Sequence, residues 1–190
     1  ANPQDVSFLT TGVHVITVTM NDWTCNSPMY TDSIEIYQMP VANFAGTNLE
    51  GCPPLQSSFT NLSSDVGNPT YNWDMGDGYV FQGFIPVHAY ENSGAYTVNL
   101  TVTTENGCSS EYSVQSMINV YPVPHAGFRV NPQVLSTEQP LANIYDESTG
   151  AVSWIYTTGD GSTSYERNFT HNYPVEGDYT ITQRVTNQWG

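Results

Sequence analysis

Asn72-Trp73-Asp74-Met75-Gly76-Asp77-Gly78, followed by His88-Ala89-Tyr90 and Gly94-Ala95-Tyr96-Thr97-Val98, is a set of landmarks that the chain repeats. Gly159-Asp160-Gly161, His171-Asn172-Tyr173 and Gly177-Asp178-Tyr179-Thr180-Ile181 carry the same pattern at a constant shift of 83 residues. A degraded copy precedes both. Gly12-Val13-His14-Val15-Ile16-Thr17-Val18 matches the segment that begins at Gly94, and Pro40-Val41-Ala42-Asn43-Phe44 matches Pro124-His125-Ala126-Gly127-Phe128. The repeating unit is too long for a solenoid turn and has the size of a small β-sandwich.

Strand periodicity runs outward from these landmarks. Tyr96, Val98, Leu100 and Val102 alternate with Thr97, Asn99, Thr101 and Thr103, which places four apolar side chains on one face and a polar ladder on the other. Tyr179 and Ile181 begin the same alternation in the last copy. Further short strands are predicted at 57–61, 70–73, 113–120 and 151–156, separated by turn residues such as Asp65-Val66-Gly67-Asn68-Pro69. Many short strands at regular intervals predict an all-β chain of tandem antiparallel sandwiches. The expected division is 1–40 for the C-terminal part of one domain, 41–124 for a complete domain, and 125–190 for a domain that stops before its last strand. Pro40 and Pro124 occupy equivalent sites with no Gly/Ser-rich linker, so the joints are expected to be short and stiff and the copies to stack into a rod.

Composition narrows the function classes. Eighteen acidic residues face three arginines and no lysine, for a formal net charge of −15. Backbone phosphates need cationic partners, so neither nucleic acid nor an anionic membrane surface suits this chain. No apolar run reaches membrane-spanning length. Abundant Thr, Ser, Asn, Tyr and Val with few charges point to an extracellular or cell-surface β-protein. Of the three cysteines, Cys25 and Cys108 hold the same place in successive copies, and Cys52 opens the complete one. Pairing Cys52 with Cys108 would close the middle copy and stabilise it by about 4 kcal/mol. The alternative is buried free thiols. Zinc lacks the ligand spacing it requires.

With Trp73-Asp74-Met75-Gly76-Asp77-Gly78, His88-x-Tyr90 and Gly94-x-Tyr96-Thr97-Val98, the sequence resembles the polycystic-kidney-disease (PKD) domain family, an Ig-like β-sandwich. The likeness covers essentially the whole chain. A second resemblance is to the repeat-rich secreted surface proteins of gliding Bacteroidetes, the cargo of type 9 secretion. Their PKD units open with Cys-Pro-Leu and end in Asn-Gly-Cys, here Cys52-Pro53-Pro54-Leu55 and Asn106-Gly107-Cys108. Trp73 reads as the anchor between two sheets. Gly76 and Gly78 supply turn conformations, Asp77 accepts backbone N–H groups, and Tyr96 resembles a tyrosine corner. In the last copy Tyr156 stands at the place of Trp73, Trp154 at that of Tyr71 and Thr157 at that of Asp74, while Ser136-Thr137 replaces Cys52. Only the second aspartate survives, as Asp160, so Asp74 and Asp77 do not form a required catalytic pair.

The candidate sites follow from these positions. His88, His171, Asp77 and Asp160 supply one histidine and one aspartate per copy, and no Gly-x-Ser-x-Gly or His-Glu-x-x-His occurs, so the fragment is expected to be non-enzymatic. The motif residues Trp73, Gly76, Asp77, Gly78, His88, Tyr90, Gly94, Tyr96, Tyr156, Gly159, Asp160, Gly161, His171, Tyr173, Gly177 and Tyr179 are read as structural. No cofactor is expected. Calcium is the one candidate, through Asp65 with Asn68 or Asp74 with Asp77, which account for only part of the six to eight oxygens it takes. Tyr79, Phe81 and Phe84 read as a loop cluster that either packs over the sandwich end or stacks on sugars. Asn61, Asn99 and Asn168 lie in N-glycosylation sequons, and Ser33 in a bacterial O-glycosylation pattern. The leading expectation is a spacer of a large surface adhesin of the gliding-motility type, whose partners are neighbouring repeats and, beyond them, surface glycans or cell-surface proteins. The alternative is an accessory polysaccharide- or protein-binding module of a secreted hydrolase.

Overall fold

The computed structural model describes residues 6–20 and 24–190; residues 1–5 and 21–23, in the first copy, lie outside the described residues. The fold is all-β, with no helix among the described residues. In the first copy β1 (Gly12–Val18) and β2 (Tyr30–Ile36) form an antiparallel hairpin, from Gly12 opposite Ile36 to Val18 opposite Tyr30. The middle copy contributes β3 (Phe44–Thr47), β4 (Glu50–Gly51), β5 (Leu55–Asn61), β6 (Thr70–Asp74), β7 (Val80–Gln82), β8 (Val87–Tyr90), β9 (Gly94–Thr103) and β10 (Ser109–Val120). They form two sheets, β3-β5-β8 and β4-β10-β9-β6-β7. The last copy contributes β11 (Phe128–Asn131), β12 (Leu141–Asp146), β13 (Ser153–Thr157), β14 (Thr163–Ser164), β15 (Phe169–Asn172) and β16 (Thr182–Thr186), in sheets β11-β12-β15 and β14-β13-β16. Each of these two copies is thus an Ig-like β-sandwich. By proximity the chain forms two compact units, 1–47 with 58–87 and 97–115, and 48–57 with 88–96 and 116–190.

The alternation along β9 decides which face turns inward: Val98, Leu100 and Val102 are fully buried, whereas Asn99 and Thr101 between them are not. Opposite them Trp73, on β6, pairs with Leu100 and has no exposed surface. Phe44 meets its ring edge-on at 5.0 Å and Phe59 lies at 5.9 Å, so β3 and β5 are glued to the facing sheet through one indole. The indole N–H donates to the Gly83 carbonyl at 3.0 Å, which satisfies the polar group that burial would otherwise strand. In the last copy Tyr156 takes this place, fully buried between Phe128 and Phe169. The smaller ring leaves a hydroxyl in the core. Gln183, standing where the middle copy has Leu100, donates to it at 2.7 Å.

Three expectations need correction. Cys52 and Cys108 are free thiols and are not bridged to each other. The register explains why. Strand β10 begins just after Cys108, and only its far end, Asn119 and Val120, pairs with Glu50 and Gly51 beside Cys52. A twelve-residue strand spans roughly 40 Å, against the 4–7 Å that a disulfide allows between Cα atoms. Near its start, Ser110 accepts from the Ala42 amide, at the end of the copy where the chain enters. The Tyr79–Phe84 segment is not simply loop, because Val80–Gln82 pairs with β6 as β7. Finally, Tyr179 and Ile181 precede the strand they were expected to begin, since β16 starts at Thr182.

Candidate functional site at the Gly-Asp-Gly turn

The turn is built by the strands that flank it. β6 runs into Asp74, which pairs with Val80, and the Met75 amide donates to the Tyr79 carbonyl at 3.0 Å, so the residues between are forced into a tight reversal. Asp74 Oδ1 accepts from the Gly76 amide at 2.9 Å and Asp77 Oδ1 from the Tyr79 amide at 3.0 Å, each carboxylate closing a turn two residues on. Gly76 adopts φ +83° with its backbone against β9: a Cβ there would lie 2.4 Å from the Thr97 carbonyl oxygen. Gly159 repeats this at φ +84°, 2.7 Å from the Thr180 oxygen.

Each of the two copies also carries a ladder of rings. His88 meets Tyr90 edge-on at 4.7 Å, Tyr90 stacks on Tyr96 at 4.8 Å, and the Tyr96 hydroxyl donates to the Asn92 carbonyl at 2.8 Å across the turn before β9. His171, Tyr173 and Tyr179 reproduce it at 4.6 and 4.4 Å, with the Tyr179 hydroxyl on the Val175 carbonyl at 2.8 Å. Gly94 and Gly177 lie beneath the Tyr96 and Tyr179 rings. In the last copy His171 Nε2 lies 2.7 Å from Asp160 Oδ2, while the Thr158 hydroxyl and the Ser162 amide donate to Oδ1 at 2.7 and 3.0 Å. The His171 contact first, then these two donors, holds the Asp160 carboxyl well below the usual carboxylate range. Tyr173, its phenol pushed up chiefly by burial, donates to the Thr158 carbonyl at 2.9 Å. Thr158 offers its proton to the carboxylate rather than to the imidazole, so the arrangement contains an Asp–His pair with no nucleophile on it. Its chemistry is to hold Gly159-Asp160-Gly161 in place.

A second polar cluster was not legible in the motif. The Asp146 side chain is fully buried and accepts from the Ser148 hydroxyl and amide, from Arg167 Nε at 3.0 Å and from Gln183 Nε2 at 3.0 Å. Burial would raise this carboxyl, yet the donors, led by Ser148, hold it below its ordinary value. Gln183 Oε1 also accepts from the Gly127 amide at 2.8 Å, tying β16 to the first residues of its copy. The available signal was Gln183 itself, a polar residue at the inward position that Leu100 holds in the middle copy.

The remaining candidates are dispersed. Asp65 and Asn68 lie in the loop before Thr70, which pairs with Thr103, whereas Asp74 at the other end of β6 pairs with Asn99; one cation cannot take ligands from both pairs. Among the described residues no three His, Cys, Asp or Glu side chains gather as a metal site. Asn61 is buried and accepts from the Ser63 amide; Asn99 is half-buried, and Asn168 and Ser33 are exposed. Tyr79 and Phe84 are exposed, and Phe84 packs edge-on against Tyr71 at 5.2 Å. Between the middle and last copies, Tyr121 stacks on Trp189 at 4.4 Å and 6°, its hydroxyl donates to Glu50 Oε2 at 2.7 Å, and Asn187 Nδ2 donates to the Pro122 carbonyl at 2.6 Å.

The family model described as PKD domain matches the chain twice, over residues 37–120 and 119–190. Pre-pro-metalloprotease PrtV of Vibrio cholerae serotype O1 (strain M66-2) is 28% identical over 155 residues, which covers 80% of this chain and 16% of that protein. The chain therefore spans about a sixth of the length of the curated relatives it matches. Among solved structures, the PKD1 domain of Vibrio anguillarum Epp is 32% identical with a TM-score of 0.38, covering 45% of this chain and 99% of that one. The PKD1 domain from Vibrio cholerae metalloprotease PrtV has the same identity, TM-score and coverage of this chain, and is itself covered completely.

Proposed function

This chain belongs to the PKD-domain family, and we propose that it serves as a non-catalytic spacer in a larger extracellular protein, setting the distance and orientation of domains beyond it. One observation carries this reading: the polar groups that the motif offers to chemistry are spent inside the copy that bears them. Asp74, Asp77 and Asp160 close their own turns, His171 holds Asp160, and the Tyr96 and Tyr179 hydroxyls bond to backbone carbonyls. The ring stack of Tyr121 on Trp189, reinforced by Asn187 on Pro122, supports a joint that resists swivelling, which a spacer needs.

The host we propose first is a repeat-rich surface adhesin, in keeping with tandem copies, proline joints and the acidic, lysine-free composition. A second host is favoured by the likeness to PrtV, a metalloprotease precursor: the same spacer as an accessory module beside a secreted hydrolase domain. Small-angle scattering from three complete consecutive copies tests the shared spacer role. An elongated particle is expected, and its length should shorten or scatter when Trp189→Ala removes the ring stack. A compact particle with copies folded around a common cleft would overturn the spacer role in either host.

A further inference from the structure

The central strand pair of the two sandwiches is one piece of backbone written twice. β6 pairs with β9 from Thr70 opposite Thr103 to Asp74 opposite Asn99, and β13 pairs with β16 from Ser153 opposite Thr186 to Thr157 opposite Thr182. All five pairs of one copy recur in the other at the shift of 83 residues. The main-chain ladder therefore does not distinguish β9 from β16, since either strand would keep its register on either partner. Copies joined in one chain meet at high effective concentration, where exchange of equivalent elements is a characteristic failure of repeat proteins.

The inward side chains do distinguish them. In the middle copy Leu100 lies opposite Trp73, both without exposed surface, with Phe44 and Phe59 against the indole. Trp73 has one donor, its indole N–H, and that already bonds the Gly83 carbonyl at 3.0 Å. In the last copy the corresponding pair is Tyr156 opposite Gln183. Gln183 Nε2 donates to the Tyr156 hydroxyl at 2.7 Å and to Asp146 Oδ1 at 3.0 Å, and Oε1 accepts from the Gly127 amide at 2.8 Å. The Asp146 side chain has no exposed surface, so its charge depends on donors supplied by the protein.

We propose that Asp146, Tyr156 and Gln183 form an identity lock that keeps each central strand in its own copy. β9 seated on β13 would put the Leu100 side chain in the place of Gln183, leaving the Asp146 carboxylate, the Tyr156 hydroxyl and the Gly127 amide each short of a bond. β16 seated on β6 would press the Gln183 amide against Trp73, whose donor is taken. Both errors arise together, because exchange is reciprocal. One orphaned buried polar group disfavours a state by about 5–150-fold, so two sets of them reject the exchanged form decisively. A polar core gives less stability than an apolar one of the same volume, and discrimination is what it supplies in return.

The test traps exchanged strands with a disulfide. Asn72 and Arg184 are exposed, and in the native pairing they lie opposite Thr101 and Ile155. Exchange would set them opposite each other, about 4.5–5.5 Å apart at Cα, within the reach of a disulfide. The 190-residue chain carries Asn72→Cys and Arg184→Cys, with Cys25→Ser, Cys52→Ser and Cys108→Ser. It is refolded from urea under reductant and oxidised briefly, and peptide mapping reads the fraction joined between positions 72 and 184. The native core should give only a background yield. Adding Asp146→Ser, Tyr156→Trp and Gln183→Leu, the residues that the middle copy has at those places, should raise the yield by about tenfold or more. The opposite change, Leu100→Gln with the last copy's core untouched, fits β9 for the polar site and keeps the test open should the triple variant fold poorly. It should raise joining between Thr101→Cys and Ile155→Cys to a similar degree. Yields that remain at the native-core level in both variants would overturn the proposal.

Discussion

Replacing Gly76 and Gly78 separately by alanine isolates what the turn asks of each glycine. Both have positive φ, +83° and +93°, so both variants carry the left-handed penalty of about 1–2 kcal/mol that a Cβ incurs there. Around Gly78 nothing lies within 4 Å of the new methyl; at Gly76 it would sit 2.4 Å from the Thr97 oxygen and 3.0 Å from the Thr97 nitrogen. Thr97 is main chain of β9, held in the five-stranded sheet, and cannot retreat as a side chain would. Relieving the overlap moves a strand or distorts the turn, an overpacking cost of about 1–3 kcal/mol. Gly76→Ala should therefore cost about 2–5 kcal/mol and Gly78→Ala about 1–2 kcal/mol. Hydrogen exchange of amides 98–102 under increasing urea reads the opening free energy of the middle copy alone, which avoids assuming that three copies unfold together. Equal losses for the two variants would refute the argument, because they share the strained φ and differ only in the crowding. Gly159 and Gly161 form the same contrast in the last copy.

Trp73→Ala should destabilise the middle copy by about 3–5 kcal/mol, the cost of emptying a buried large aromatic site, and a loss under about 1 kcal/mol by urea denaturation would mean that the indole is not what holds the sheets together. Alkylation of the folded chain should label both Cys52 and Cys108; a peptide linking them in a non-reducing digest would contradict the register of β10 on β4. Because Asp160 titrates below the ordinary carboxylate value, its bonds contribute stability that is complete above about pH 4 and lost as pH falls through the lowered folded value. Asp160→Asn should flatten that acid limb in thermal melts of the last copy, and an unchanged limb would assign the acid sensitivity to other carboxylates.

The sandwich was legible because its signals are local. The alternation along Tyr96–Thr103 and the two glycines around Asp77 specify a strand and a turn without reference to anything distant. The ring ladder of His88, Tyr90 and Tyr96 was read as structural but not assembled, since period-two reasoning does not say which segment lies beside which. The cysteines show the limit most plainly. Repeat position identifies Cys52 and Cys108 as the ends of a copy, but whether those ends meet depends on the parallel seating of β10 against β4, a pairing between residues almost seventy apart in the chain. The Asp146–Gln183–Tyr156 cluster escaped for the opposite reason. Each polar residue is unremarkable alone, and only their convergence in a core position makes them a unit.

The parallel seating of β10 against β4 also decides how the middle copy answers to tension. A pull on the flanking chain draws β4 toward its own start and β10 toward its own end, in opposite senses along a shared axis. The bonds from the Asn119 amide to Leu49 and from the Tyr121 amide to Gly51, both 2.8 Å, are then loaded sideways and together. A stretched middle sandwich should therefore hold until these bonds fail together, and give way in a single abrupt step.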